Sequence, residues 1–123
     1  MNCNNSPLLE KSLKFASRVV KLYKYLHDSK KETIISKQLL RSATSIGANA
    51  NEAAYALSKS DFIFKLHISL KECAETEYWL RLLEMSDYIT EEEAQSIIND
   101  CLEVKRILVA SLNTAKSENK DSE

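Results

Sequence analysis

Apolar residues recur at intervals of three and four along almost the whole chain, in four runs separated by short polar stretches. That period belongs to amphipathic helices and not to strands. The first run opens with Ser6 as N-cap and Pro7 at the first helical position, where a missing N–H costs nothing, and it predicts a helix over residues 6–27. Leu9, Leu13, Ala16, Val20 and Tyr23 form one stripe and Leu8, Phe15, Val19, Leu22 and Leu26 a second beside it, so the apolar arc covers about half the circumference. After the polar connection Asp28 to Glu32, a second helix is predicted over 33–57, with a core face of Ile35, Leu39, Ala43, Ile46, Ala50, Ala53 and Leu57. Its reverse side carries Arg41, Ser45, Asn49 and Glu52 together with Ala48 and Ala56, side chains short enough to let another backbone come close. Gly47 in mid-helix costs about 1 kcal/mol relative to Ala, so a kink or close packing is expected there.

Ser58 or Ser60 caps a third helix, predicted over 61–85 and turned antiparallel to the second by a very short connection. Its core face is Phe62, Ile63, Leu66, Leu70, Cys73, Ala74 and Leu80. A second apolar patch, Phe64, Ile68, Trp79 and Leu82, lies on the other side and holds the only Trp of the chain. A helix in a small monomeric bundle needs one apolar face, so the second predicts an oligomer interface. The fourth helix, over 91–115, starts with a capping box of Thr90 and Glu93, and Ala94, Ile97, Ile98, Cys101, Leu102, Val104, Leu108, Val109 and Leu112 give it a single core face. Residues 116–123 are expected to be a disordered polar tail. The fold class that follows is all-α, an up-down-up-down antiparallel four-helix bundle spanning 1–123 as a single domain.

Composition agrees with the pattern. One Gly and one Pro in 123 residues leave too few chain-breakers for a turn-rich β or α/β fold. The net charge of −1 hides a polarity, because residues 1–60 carry a net +6 and residues 61–123 a net −7. Cys3, Cys73 and Cys101 are odd in number and lack any CxxC spacing, which argues against a disulfide framework and a zinc knuckle and favours a reduced compartment. The N-terminal residues contain no apolar signal core, and no apolar run approaches the roughly 20 residues that span a bilayer. A cytoplasmic protein without membrane contact is expected.

The residues offer little chemistry. A di-iron bundle needs Glu-x-x-His pairs, but Lys24 stands three before His27 and Phe64 three before His67. Helical ribonucleases place an Arg four to six residues before a His, and neither His here has one. Cys73 and Cys101 fall on apolar stripes as core thiols, and a single Gly allows no phosphate-binding loop. No metal, cofactor or small-molecule substrate is therefore expected, and no enzymatic activity. Polar residues on crowded faces carry more signal. Glu77 falls within the core stripe of the third helix with Arg81 one turn later, and Arg41 and Glu52 share the crowded face of the second; a polar network that fixes register accounts for them better than an acid–base pair. Lys11, Lys14, Arg18 and Lys21 follow one another at spacings of 3, 4 and 3 on the first helix, with Tyr25 beside them. This stripe is a nucleic-acid contact, or more commonly a solvated face or the complement of the acidic third and fourth helices.

Two blocks, LLRSATSIGANANEAAYALSKSDF from Leu39 to Phe62 and FKLHISLKECAETEYWLRLLEMSDYIT from Phe64 to Thr90, resemble the bacterial four-helix-bundle proteins encoded by open reading frames inside intervening sequences of 23S ribosomal RNA genes. The order Arg, Ser-Ile, Asn, Glu and then Glu-Tyr-Trp-Leu-Arg-Leu-Leu is more specific than helix formation requires. The resemblance implies a bundle that assembles as a homopentamer around a central axis, with no established enzymatic activity. The accessory variability determinant of diversity-generating retroelements is similar in fold, pentameric, and binds nucleic acid and a reverse transcriptase through a basic surface. The motif positions carried over are Arg41, Ser45, Ile46, Asn49 and Glu52 on the second helix and Glu75, Glu77, Tyr78 and Leu80 on the third. Gly47 stands where many members have Pro, and Ala54 where many have Gly. This chain also lacks the strongly basic character of the accessory protein, which tells against nucleic acid. The function expected is that of a non-enzymatic, pentameric assembly or interaction module; the alternative is an RNA- or DNA-binding accessory protein using Lys11, Lys14, Arg18 and Lys21.

Overall fold

The helix starts are fixed by local hydrogen bonds from the residues just before them. In a computed structural model that describes residues 6–121, the chain forms α1 (Pro7–Asp28), α2 (Ile35–Ala53), α3 (Lys59–Met85) and α4 (Glu91–Asp121). The Ser6 hydroxyl accepts the Leu9 N–H at 3.4 Å and the Ser58 hydroxyl accepts the Asp61 N–H at 3.1 Å. Thr90 and Glu93 exchange two bonds of 3.1 Å as a capping box. Each satisfies backbone donors that the first helical turn leaves open. Helix α3 ends in a left-handed residue, Asp87 with φ 65°, and the Tyr88 N–H returns to the Leu83 carbonyl at 3.0 Å, the pattern of a Schellman stop.

The start of α2 depends on a residue that the sequence pattern leaves in a polar connection. Glu32 is buried, and its carboxylate accepts the N–H groups of Ile34, Ile35 and Ser36 at 3.1, 2.8 and 2.7 Å. The Ser36 hydroxyl donates back to the Glu32 carbonyl at 2.8 Å. Burial alone would push this carboxyl up, but the amides of Ile35, Ser36 and Ile34 outweigh it and hold the group below its ordinary range.

Each helix packs against its neighbour in the chain and α4 also returns to α1, which closes an antiparallel four-helix bundle. Its centre is filled by Phe15, Val19 and Leu26, by Leu39, Ala43 and Ile46, by Leu66, Leu80 and Leu83, and by Ile98, Val104 and Leu108, all buried. Hydroxyls cross from α3 to α2 inside this core: Ser69 donates to the Ile46 carbonyl at 2.7 Å and Thr76 to the Ser42 hydroxyl at 2.9 Å. On the other side of α2, a Cβ on Gly47 would stand 3.2 Å from the Ser12 hydroxyl oxygen. Close packing against α1 is therefore the reason for the glycine.

Several expectations change. Of the two α1 stripes only the one containing Leu8, Phe15, Val19 and Leu26 is core, and Leu13 is 72% exposed, because two neighbouring helices cannot cover half a circumference. Helix α2 stops at Ala53, so Leu57 lies in the turn and is 99% exposed. Ala74 is exposed rather than core. Helix α4 continues past Ala115 to Asp121, through most of the segment expected to be a disordered tail. Cys3 lies outside the described residues. Among the described residues no helix is long and apolar enough to cross a membrane.

Candidate interaction surface

Helix α3 is apolar on two sides, and the bundle uses one. Along the outward side run Phe64, Ile68, Lys71, Glu75, Tyr78, Leu82 and Met85, spaced alternately by four and three residues, which sets them in one row along the helix. Phe64, Tyr78 and Met85 are 59%, 60% and 83% exposed, and Ile68 and Leu82 are half-buried. The row differs from the patch expected from sequence: Met85 extends it, Lys71 and Glu75 interrupt it, and one aromatic changes. Trp79 is half-buried and packs against the core, and Tyr78, whose ring meets the Trp79 ring edge-on at 5.0 Å, takes the outward position. The Trp79 indole Nε1 is buried with no hydrogen-bond partner.

Beside this ridge lies the outward side of α2. Arg41 reaches Glu75 at 2.5 Å and Glu72 at 3.8 Å. Burial first, then the neighbouring Glu75 carboxylate, pushes the Glu72 carboxyl above its ordinary range against the pull of Arg41. Ser45 donates to the Arg41 carbonyl at 2.7 Å and Asn49 to the Ser45 carbonyl at 2.8 Å, so both side chains lie flat along their own helix. Glu52 pairs with Lys65 of α3 at 3.7 Å. The side of α2 that carries the motif is thus low and polar, and it is stitched to α3 by Arg41 and Glu52 at its two ends. Glu77 and Arg81 form the expected pair at 2.9 Å, but at the bundle edge and not within the core.

Two of the four cations of the basic stripe of α1 pair with α4. Lys11 pairs with Glu103 of α4 at 2.7 Å, and Arg18 binds Asp100 at 2.7 Å and the Ser96 hydroxyl at 2.8 Å. Lys14 pairs along its own helix with Glu10 at 3.0 Å. Lys21 makes no ion pair among the described residues and borders a surface cleft of about 380 Å³ with Arg18, Tyr25, Ile89 and Ile97. A second cleft, of about 400 Å³, runs between α1 and α2 along Leu9, Leu13, Ala16, Thr44, Gly47 and Ala48.

Four helices of this order, with the Arg41 to Glu52 face and the Glu75 to Leu82 row side by side, meet a family model described as 23S rRNA-intervening sequence protein over residues 4–110. The chain belongs to this family. A crystal structure of a protein of unknown function from the S23 ribosomal protein family of Bacteroides thetaiotaomicron is 53% identical, with a TM-score of 0.84 over 85% of this chain and 97% of that one. No curated protein sequence matches.

In this 23S rRNA-intervening sequence protein the two cysteines among the described residues are enclosed. Cys73 and Cys101 are buried thiols whose sulfurs lie 3.9 Å apart across the α3–α4 contact, each bonded at 3.7 Å to the other's carbonyl. Their mutual hydrogen bond and burial push the Cys101 thiol far above its ordinary range. Among the described residues no group of three or more His, Cys, Asp or Glu side chains is placed to hold a metal ion. The signal for the α3 ridge was in the sequence as the doubled apolar face. The Glu72 and Trp79 orphan atoms had no such signal, since which side chain loses its water depends on its neighbours.

Proposed function

We propose that this family member acts as a homo-oligomeric assembly module in which the outward ridge of α3, with the low side of α2 beside it, is the contact surface. The observation that carries this reading is the concentration of exposed apolar side chains on α3 and the turn before it. Tyr55, Leu57, Phe64, Tyr78 and Met85 are all large, apolar and exposed, whereas α1 and α4 together contribute Leu13, Tyr25 and Val109 and the α1–α2 connection Ile34. Burying such side chains contributes roughly 25 cal/mol per Å², and apolar side chains gathered on one exposed face mark interaction sites. Five is the order implied by the sequence resemblance. Native mass spectrometry at micromolar concentration tests the reading: a pentamer of 14.0 kDa chains gives about 70 kDa, and a persistent 14.0 kDa species overturns it.

The nucleic-acid alternative finds less support. Lys11 and Arg18 already neutralise Glu103 and Asp100, which leaves a small footprint for phosphates.

A further inference from the structure

Cys73 on α3 and Cys101 on α4 meet inside the bundle, across the contact between two neighbouring helices. Their sulfurs are 3.9 Å apart, and each lies 3.7 Å from the main-chain carbonyl oxygen of the other residue. The contact is reciprocal, so the two residues stand at one level of the bundle with their side chains directed at each other. A thiol is a weak donor and a weak acceptor, so these bonds hold neither sulfur firmly. A disulfide sets its sulfurs about 2.05 Å apart. The pair must therefore close by roughly 1.9 Å, a movement of the order that rotation about the two Cα–Cβ bonds supplies. One buried cysteine serves a core as a small apolar filler; two that face each other, 28 residues apart in sequence, also form a cross-linking site.

We propose that Cys73 and Cys101 are a redox modification site: hydrogen peroxide joins them in a disulfide that ties α3 to α4, and a thiol reductant releases it. The Cys73 thiolate attacks one peroxide oxygen, the O–O bond breaks, and the departing hydroxide takes the proton that Cys73 gave up, forming water. Cys73 is then a sulfenic acid. The Cys101 sulfur attacks the Cys73 sulfur, the S–S bond forms as the S–O bond breaks, and hydroxide leaves with the Cys101 proton as a second water. Two thiols are oxidised to one disulfide while one peroxide is reduced to two waters. Two reductant thiols reverse the bond by exchange. The order of attack follows the surroundings of the sulfurs. The hydrogen bond from Cys101 holds the Cys73 thiol below its ordinary range against burial, and the same bond and burial push Cys101 up, so Cys73 is the first nucleophile. Both sulfurs are buried, so the oxidant enters when the α3–α4 contact opens locally, and the bond then holds that contact shut. In a reducing compartment the pair rests as thiols, the setting in which intracellular disulfides act as transient sensors.

The test uses the full chain carrying Cys3→Ser, which leaves Cys73 and Cys101 as its only thiols. The folded protein is treated with hydrogen peroxide, remaining thiols are blocked with iodoacetamide, and the chain is cut with trypsin. The expected product is peptide 72–81 joined to peptide 82–105, from a chain that has lost two hydrogens and runs as a single chain on a non-reducing gel. Its thermal midpoint, compared at one protein concentration, should rise on the order of 10 °C and fall back when dithiothreitol is added. Cys101→Ser, or Cys101→Ala should the serine variant unfold, should stop at a Cys73 sulfenic acid that dimedone traps, with no rise in the midpoint. Thiols that stay free after peroxide, a bond between chains in place of one within a chain, or a linked product that melts no higher than the reduced chain each overturns the inference. So does a Cys73 that dimedone fails to label in the variant without Cys101.

Discussion

The hydroxyl oxygen of Ser12 lies 3.2 Å from the place a Cβ on Gly47 would occupy, and this contact sets how closely α1 and α2 approach. A helix interior favours Ala over Gly by about 1 kcal/mol, so Gly47→Ala alone should yield less than that in urea unfolding, because Ser12 is buried and must give way. In a Ser12→Ala background the same change should recover most of the roughly 1 kcal/mol. Equal gains in the two backgrounds would show that the contact does not limit packing.

Glu32 holds three amides at the start of α2, and hydrogen bonds to a charged group contribute about 1.5–3 kcal/mol. Glu32→Gln should cost roughly 1–2 kcal/mol at neutral pH. Because the folded protein holds this carboxyl below its reference value of 4.5, its contribution is fully present above that value and is lost as pH falls through the lower folded value. Chemical denaturation of both forms should therefore show a gap that persists at pH 6 and narrows below pH 4.5; a gap independent of pH would contradict the role.

Glu72 should behave oppositely. Its carboxyl is held above 4.5 by burial and by Glu75, so the stability it contributes is present at low pH and lost as pH rises through the raised folded value. Glu72→Gln is expected to be more stable than the wild type at pH 7 and to lose that advantage near pH 4. Stability must be compared at one protein concentration, since assembly shifts it. A variant less stable at pH 7 would mean that the Arg41 attraction exceeds the burial cost.

Arg18 binds Asp100 and Ser96 across the α1–α4 seam, whereas Lys21 has no ion partner among the described residues. Arg18→Ala should cost about 0.5–1 kcal/mol and Lys21→Ala close to nothing in urea unfolding. Equal effects would remove α4 as the main counterpart of the stripe.

Much of this was legible in the residues, and the boundary between what was and was not is physical. Ser6–Pro7 and Thr90–Glu93 announce their helices because the capping partners sit at fixed offsets in the chain. Glu32 does not, because it reaches its amides from an irregular turn with no Ser, Asn or Asp at the usual place. The two stripes of α1 could not be ranked from spacing, since only the positions of α2 and α4 decide that Phe15 is core and Leu13 is not. Tyr78 and Trp79 are adjacent, so they point about 100° apart on the helix, and the larger ring turns out to be the one that packs inward. The pairing of Lys11 with Glu103 and Arg18 with Asp100 follows from α4 returning beside α1, so for these two cations the stripe is the complement of an acidic helix.

The most direct measurement is multi-angle light scattering of the wild type and Phe64→Glu/Tyr78→Glu over a micromolar dilution series. The account predicts a multiple of 14.0 kDa for the wild type and a folded monomer for the variant. A wild type at 14.0 kDa, or a variant that assembles as the wild type does, would contradict it.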